Sequence, residues 1–283
     1  MENLTIVIPA KNEANGLASF LPQLRELYPL AEIIVVNDGS TDNTSEICLQ
    51  NKVIEVVNKY SIGNGGAIKA GARAATKDYI VFMDGDGQHD PKDIERLTAE
   101  IENGYDMVVG ARDKSSQASV GRSFANRFYN RLASWMVGHK VEDLTSGFRA
   151  VKRDKFLEFL HLLPNGFSYP TTSTMAFFRA GYAVKYIPIV AHTRIGKSHI
   201  NILRDGMRFL LIIFKIGTLF SPLKLFVPIS ASLFVTGIFY YLYTFITAGR
   251  FTNMSATILL SSVIIFLIGL VSEQITLLTY QKK

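Results

Sequence analysis

Tyr79-Ile80-Val81-Phe82-Met83 runs straight into Asp84-Gly85-Asp86-Gly87-Gln88-His89-Asp90. The first five residues are apolar and rich in strand formers, so they predict a buried strand. Side chains alternate along a strand, which would put Asp84 and Asp86 on one side of its end. Two carboxylates there, with the Gln88 amide oxygen in reach, offer the hard oxygen ligands that suit Mg²⁺ or Mn²⁺. Asp and Gly are also ordinary turn residues, so the alternative is an acidic turn that only ends the strand. Asp90 followed by Pro91 predicts an N-cap with proline at the first helical position. His89 is expected as an exposed loop residue rather than a ligand.

Working outward, short apolar runs at 4–8, 32–36, 53–57, 79–83 and 107–109 alternate with helical patterns at 16–27, 41–50, 64–75 and 91–102. That alternation predicts an α/β fold, a mostly parallel sheet flanked by helices. In such sheets ligands bind beyond the carboxyl ends of the strands. The polar segments Lys11-Asn12-Glu13, Asn37-Asp38-Gly39-Ser40, 58–66 and the aspartate cluster all fall at those ends. A helix over 120–137 follows, carrying Arg122, Arg127 and Arg131. After it come a loop entering a strand at 145–152, helices at 155–163 and 172–180, and a strand at 183–187.

Hydrophobic residues make up 48% of the 283 residues, a high share for a purely soluble chain, and the excess is C-terminal. Residues 201–220 set Arg204, Arg208 and Lys215 among apolar neighbours, the pattern of an amphipathic helix lying on a membrane. Residues 225–247 carry no charge and are long enough to cross a hydrocarbon core of about 30 Å. A second span is predicted over 255–280, its single charge Glu273 held at the interface or by a helix partner. The alternative is a buried soluble hairpin. Lys197, Arg204 and Arg208 precede the first span and Lys282 and Lys283 follow the second, whereas the link between the spans holds only Arg250. The positive-inside rule then puts the large domain and both termini in the cytoplasm. The start lacks a basic region and a long apolar core, so no cleaved signal peptide is expected. Cys48 is the one cysteine, too few for a disulfide or a thiolate metal site. The net charge of +6 suits nucleotide diphosphates, lipid phosphates or an acidic bilayer. No nucleic-acid-binding signature accompanies it.

Six motifs occur in order: Ile8-Pro9-Ala10-Lys11-Asn12-Glu13, Val35-Val36-Asn37-Asp38-Gly39-Ser40-Thr41-Asp42, Gly63-Asn64-Gly65-Gly66-Ala67, Asp84/Asp86/Gln88, Gly110-Ala111-Arg112 and Ser146-Gly147-Phe148-Arg149. Together they resemble the family 2 inverting glycosyltransferases of the GT-A fold, and among these the polyprenyl-phosphate sugar synthases. Those include dolichol-phosphate mannose synthase and its bacterial glucosyl relatives. The resemblance spans about residues 4–200, and the two-span tail is similar to a membrane-anchored subset. It implies that Pro9, Lys11 and Glu13 wrap a nucleotide and that Asp38 hydrogen-bonds its base. Asp84 and Asp86, with Gln88, would hold Mg²⁺ or Mn²⁺ against the diphosphate, and Arg112 would contact phosphate. An arginine of the following helix, Arg122 or else Arg127, would hold the acceptor phosphate. Arg194, with Lys197, would cover the donor from a mobile loop. Asn64 departs from the lysine common at that place in the family, so the glycines there serve a tight turn. Trp135 is not part of a Gln-x-x-Arg-Trp motif, which argues against a processive polysaccharide synthase.

The resemblance implies a metal-dependent, inverting transfer of one hexose from a nucleotide-diphosphate sugar to polyprenyl phosphate. Asp86, Arg112 and Arg122 would be central to catalysis, and the product would form on the cytoplasmic face. The expected organisation is a GT-A domain over 1–200, an interfacial helix over 201–222 and a two-helix anchor over 223–283 that also offers a surface for homo-oligomers. The alternatives are a transferase for another lipid or a protein, a non-catalytic nucleotide-binding scaffold, and a sugar-phosphate nucleotidyltransferase.

Overall fold

The computed structural model describes residues 2–112, 120–166, 168–190, 214–215 and 217–281, with backbone only for 120–126 and 279–281. The chain divides into two compact units, Met1–His199 and Ile200–Lys283.

The first unit strings together β1 (Leu4–Ala10), α1 (Ala14–Leu27), β2 (Glu32–Asn37), α2 (Thr44–Gln50), β3 (Ile54–Val57), α3 (Asn64–Ala74), β4 (Tyr79–Phe82), α4 (Asp93–Glu102) and β5 (Met107–Arg112). Then follow α5 (Val120–Val137), β6 (Arg149–Lys152), α6 (Arg153–Glu158), α7 (Tyr169–Arg179) and β7 (Val184–Ile189). The strands form one seven-stranded sheet in the order β3-β2-β1-β4-β6-β5-β7. All neighbours are parallel except β6, which runs antiparallel to both β4 and β5. All seven residues of β1 are buried, as expected of a strand covered on both faces. On one side α1 presents Leu17, Phe20, Leu21 and Leu24, an i, i+3, i+4, i+7 stripe, to Ile6, Ile8 and Val35. On the other, Gly71 lets α3 lie close to the sheet, where a Cβ would overlap Val7 Cγ1.

The antiparallel β6 sets the geometry of everything above it. Arg149 pairs with Phe82 of β4 and with Val109 of β5, so the loop entering β6 arrives at the carboxyl ends of its two neighbours. The ends of β4 and β5 therefore stand two strand spacings apart, about 10 Å, with the 143–148 loop between them.

The second unit holds α8 (Pro222–Ala248) and α9 (Asn253–Gln281), packed against each other. At 1.5 Å per residue each is about 40 Å long, more than a hydrocarbon core needs. Within their most apolar windows only 11% and 17% of residues are buried. Such exposure is unlike that of a buried soluble hairpin, and both helices are long and apolar enough to cross a membrane. Gly237 and Gly269 sit at close crossings, where a Cβ would lie 2.9 Å from Leu259 Cδ2 and 2.7 Å from Phe226 Cβ. Ser230 donates to the Ser262 carbonyl at 2.9 Å. The Glu273 carboxylate accepts from the Leu223 amide at 3.3 Å, so the helix partner holds this charge at the α8 N-terminus. Most of the expected interfacial helix over 201–222 lies outside the described residues.

Candidate active site

The carboxyl ends of β1, β2, β4 and β5 carry the polar motifs, and side chains stitch their loops together. Asn12 takes a positive φ of 56°. From there its amide donates to Ser40 Oγ at 3.0 Å and its Oδ1 accepts from the Thr41 amide at 2.8 Å. Asp42 Oδ2 accepts from the Ala14 amide at 3.0 Å and so caps α1 from the neighbouring loop. Lys11 Nζ donates to Ser61 Oγ at 3.0 Å, which brings it to the loop after β3. Glu13 lies at the entry to α1 and Pro9 is buried in β1.

Asp38 is 4% exposed. Its carboxylate accepts from Asn58 Nδ2 and Ser61 Oγ at 2.8 Å each, from the Ile62 amide at 2.9 Å and from the Gly63 amide at 2.8 Å. Burial alone would raise its pKa, but these four donors outweigh that and hold it below the usual carboxylate value. Four donors fill the lone pairs of a carboxylate, so a base can reach Asp38 only if one of them yields. Asp38 here shapes the 58–63 loop.

The glycines of α3 do more than permit a turn. The Gly65 amide donates to the Gly166 carbonyl at 3.1 Å and the Gly66 amide to the Asn165 carbonyl at 2.8 Å. A Cβ at Gly63 would stand 2.7 Å from the Asn165 carbonyl. These glycines admit the 164–166 loop against the helix N-terminus, which commits both amides.

Three expectations about the aspartate stretch are corrected. First, β4 ends at Phe82 and residues 85–87 form a turn, with Gly87 at a φ of 71°. The placement of Asp84 and Asp86 thus comes from a turn rather than from strand alternation, and the Gln88 amide closes that turn onto Asp86 Oδ1 at 3.2 Å. Second, His89 is 6% exposed, stacked on Phe148 with ring centroids 4.7 Å apart. Burial pushes its pKa down to about 4, and its Nδ1 has no hydrogen-bond partner in the protein. Third, α4 begins at Asp93, because Asp90 Oδ1 takes the Lys92 amide at 2.9 Å in a preceding turn and Pro91 lies within that turn.

Across from the aspartates, Arg112 ends β5 in a bidentate pair with Asp143: Nε to Oδ2 at 2.8 Å and Nη2 to Oδ1 at 3.0 Å. Nη2 also donates to Thr145 Oγ1 at 2.6 Å. Burial works against both charges. The mutual hydrogen bonds and attraction prevail, so the guanidinium is raised and the Asp143 carboxyl is held low. Asp143 Oδ1 further accepts from the Thr145 and Ser146 amides at 3.1 Å each. Sequence reading missed Asp143. Its signal was an aspartate two residues before a hydroxyl residue, the pattern of a side chain that folds its own turn.

The turn that Asp143 builds carries Gly147 up to Asp84. A Cβ on Gly147 would stand 3.0 Å from Asp84 Oδ2 and 3.3 Å from the Tyr169 hydroxyl. That hydroxyl donates to the Gly147 carbonyl at 2.8 Å. Beneath lies Arg149, fully buried, donating to the Ser146 carbonyl, the Pro170 carbonyl at 2.9 Å, Ser173 Oγ at 2.8 Å and Thr174 Oγ1 at 3.1 Å. Ser146 Oγ is buried with no partner in the protein.

The structure thus brings Pro9, Lys11, Glu13, Asp38, Asp84, Asp86, Gln88 and Arg112 to one edge of the sheet. Arg194, Lys197 and the Arg122 side chain lie outside the described residues, and Arg127 is exposed on α5. A cleft of about 350 Å³ lined by Glu2, Asn3, Leu4, Tyr79, Thr98 and Glu102 opens at the opposite, amino end of β1 and β4. Among the described residues no three His, Cys, Asp or Glu side chains converge on one point. The local carboxylates therefore supply at most part of a cation's coordination shell, and a substrate or water must supply the rest.

The family described as Glycosyl transferase family 2 matches residues 5–160, and the one described as GtrB C-terminal hairpin matches residues 221–278. Glycosyltransferase AglJ of Haloferax volcanii is 27% identical over 248 residues, covering 84% of this chain and 80% of that protein. The undecaprenyl-phosphate 4-deoxy-4-formamido-L-arabinose transferase of Proteus mirabilis is 31% identical over 190 residues, 60% of this chain but only 58% of its own length. Among solved structures, glucosyl-3-phosphoglycerate synthase from Mycobacterium tuberculosis, in complex with Mn²⁺, UDP and its glucosylated product, superposes with a TM-score of 0.60. At 20% identity, over 76% of this chain and 78% of that one, it shares the fold.

Proposed function

Because this chain belongs to glycosyl transferase family 2, we propose that it moves one hexose from a nucleotide-diphosphate sugar to polyprenyl phosphate. The anomeric centre inverts, at the cytoplasmic face of a membrane that α8 and α9 cross. The observation that carries the reading is the pairing of two features in one chain. Asp84, followed by Asp86 in the turn after β4, lies across the start of β6 from an Arg112–Asp143 clamp, and an apolar hairpin follows. The likeness to an undecaprenyl-phosphate sugar transferase favours a lipid-linked phosphate as acceptor.

The residues fit a divalent, oxygen-preferring cation. Two carboxylates and the Gln88 amide supply hard donors, and Gly147 keeps a methyl group off Asp84. Asp84, Asp86 and Gln88 would hold Mg²⁺ or Mn²⁺, which when bound offsets negative charge on the departing nucleotide diphosphate. The protein does the rest. Lys11 and Glu13, with Pro9, line the nucleotide from β1, and Asp38 shapes the 58–63 loop that closes its other side. Arg112 keeps a fixed orientation on Asp143 and contacts phosphate through the edge of its guanidinium. Arg122 holds the acceptor phosphate, while Arg194 and Lys197 cover the donor. A phosphate monoester is already ionised near neutrality, so its oxygen attacks without a strong general base. The barrier falls through positioning and fixed charge.

The test is a panel of labelled nucleotide sugars offered to the full chain in detergent with polyprenyl phosphate, polyprenol or no acceptor. The expected result is one sugar transferred to the phosphate lipid only, with inverted anomeric configuration and loss of turnover on chelation. Transfer to polyprenol or to protein, or a retained configuration, overturns the assignment.

A further inference from the structure

Helix α5 has two faces of opposite character. Its inner face is pinned to the loop that carries the Arg112–Asp143 clamp. Asn130 Oδ1 accepts from the Leu144 amide at 3.1 Å, Ser134 Oγ accepts from the Val141 amide at 2.9 Å, and Ala133 and Met136 are buried. Just past its end His139 stacks on Phe178 of α7, ring centroids 5.3 Å apart. The outer face reverses the usual rule. Phe128 is 57% and Trp135 49% exposed, and Arg127 and Arg131 are exposed beside them. At 100° per residue these four fall within an arc of about 100°, with the two aromatics about 10 Å apart along the axis. Large half-exposed aromatics set between arginines suit a boundary where rings enter an apolar layer and guanidinium groups stay with phosphates.

We propose that this face of α5 docks on an acidic bilayer surface. The inference rests on the membrane-anchored reading above and goes beyond it, since it gives the first unit its own lipid contact. Charge complementarity selects the occupant. Arg127 and Arg131 match anionic headgroups, whereas a second copy of the same face would bring like charges together. The consequence is positional. Asn130 and Ser134 tie α5 to 141–144, so lipid contact on the outer face bears directly on the loop that orients Arg112.

Trp135 is the only tryptophan of the chain, so its emission reports this face alone. The full chain is reconstituted into phosphatidylglycerol-containing vesicles with plain or brominated acyl chains, and flotation is measured on the same samples. Rings seated at the headgroup–acyl boundary should lose roughly half or more of their emission to the bromines. Phe128→Ser should keep most of that emission. It should also slow transfer to vesicle-embedded acceptor while leaving transfer to detergent-dispersed acceptor unchanged. Chain that floats with the vesicles yet shows unquenched Trp135 overturns this inference and leaves the proposed function standing. Concentration-dependent shielding from acrylamide without bromine quenching also overturns it, by showing a second copy on the face. Chain that does not float removes the anchored reading and this inference with it.

Discussion

Replacing Asp143 with asparagine gives the most direct check on the clamp. The substitution keeps shape and removes one negative charge from a side chain that receives six contacts. Three come from Arg112, through its amide, Nε and Nη2, and three from Thr145 and Ser146. An amide can present only one oxygen, so at least one donor now meets an NH₂ group. The Arg112 side chain is 32% exposed and that of Asp143 9%. Loss of a fully buried partner costs about 3–5 kcal/mol, and partial solvent access to Arg112 brings the expectation down to about 2–3 kcal/mol. If that energy goes into the orientation of Arg112 toward phosphate, turnover falls roughly 30- to 150-fold.

The assay is a double-mutant cycle of Asp143→Asn with Arg112→Gln, read by thermal unfolding in detergent and by transfer rate. Acid stability provides an independent readout. The Asp143 carboxyl is held low in the folded protein, against its burial, by Arg112. Its contribution is therefore complete above the unfolded carboxylate value near 4 and is lost as pH falls through the lower folded value. The parent should lose this part of its stability in acid, and the asparagine variant should not. A coupling energy near zero, or an Asp143→Asn protein with the parent's rate and acid profile, would refute the clamp.

Asp84→Asn and Asp86→Ala should each abolish transfer while leaving thermal unfolding unchanged; parental rates at saturating Mg²⁺ and Mn²⁺ would reject the metal assignment. Gly147→Ala sets a methyl group 3.0 Å from Asp84 Oδ2 and should cut turnover about 10- to 100-fold, checked by kcat with the far-ultraviolet spectrum as a fold control. Arg122→Ala should impair acceptor kinetics more than nucleotide-sugar affinity, by roughly 30- to 1000-fold, with lysine rescuing only in part. Unchanged acceptor kinetics in that variant would move the role to Arg127 or Arg131.

What the sequence displays is the part that burial writes into it. Strands covered on both faces must be largely apolar, so β1, β2, β4 and β5 are visible as near-continuous apolar runs. The span of α5 matches its expected 120–137. Strand direction leaves no such mark. Alternation and apolarity are the same whichever way a chain runs, so the antiparallel β6, which sets Asp84 and Arg112 apart, was hidden. Helix starts were hidden wherever a distant side chain decides them. α2 begins at Thr44 rather than 41 because Asp42 spends its oxygens on Ala14 and Thr44. α7 begins at Tyr169 rather than 172, since the hydroxyl run Thr171-Thr172-Ser173-Thr174 is buried and partly bonded to Arg149. His89 was misplaced for a related reason: only the fold brings Phe148 over its ring.

Arg149 shows why the site is organised from below as well as from its rim. The proposed reaction gathers a diphosphate, an acceptor phosphate, Asp84 and Asp86 at one edge of the sheet, and Asp143 adds a further carboxylate beside them. Arg112 is largely neutralised by Asp143. A second cation under the loop changes that balance. Arg149 has no exposure, and the partners it donates to are neutral: oxygens of Ser146, Pro170, Ser173 and Thr174 and the sulfur of Met107. Burial lowers its pKa, with Tyr169, Tyr186, Asp143 and Asp84 pulling the other way. A guanidinium is the most strongly basic of the side chains and remains charged even so. Its charge is therefore spent on no single carboxylate and acts through a low-dielectric interior on the aspartates above. The same group fixes the Ser146 carbonyl while Tyr169 fixes that of Gly147. One buried side chain thus both shapes the loop that lies against Asp84 and offsets the anionic charge that the proposed site must accept.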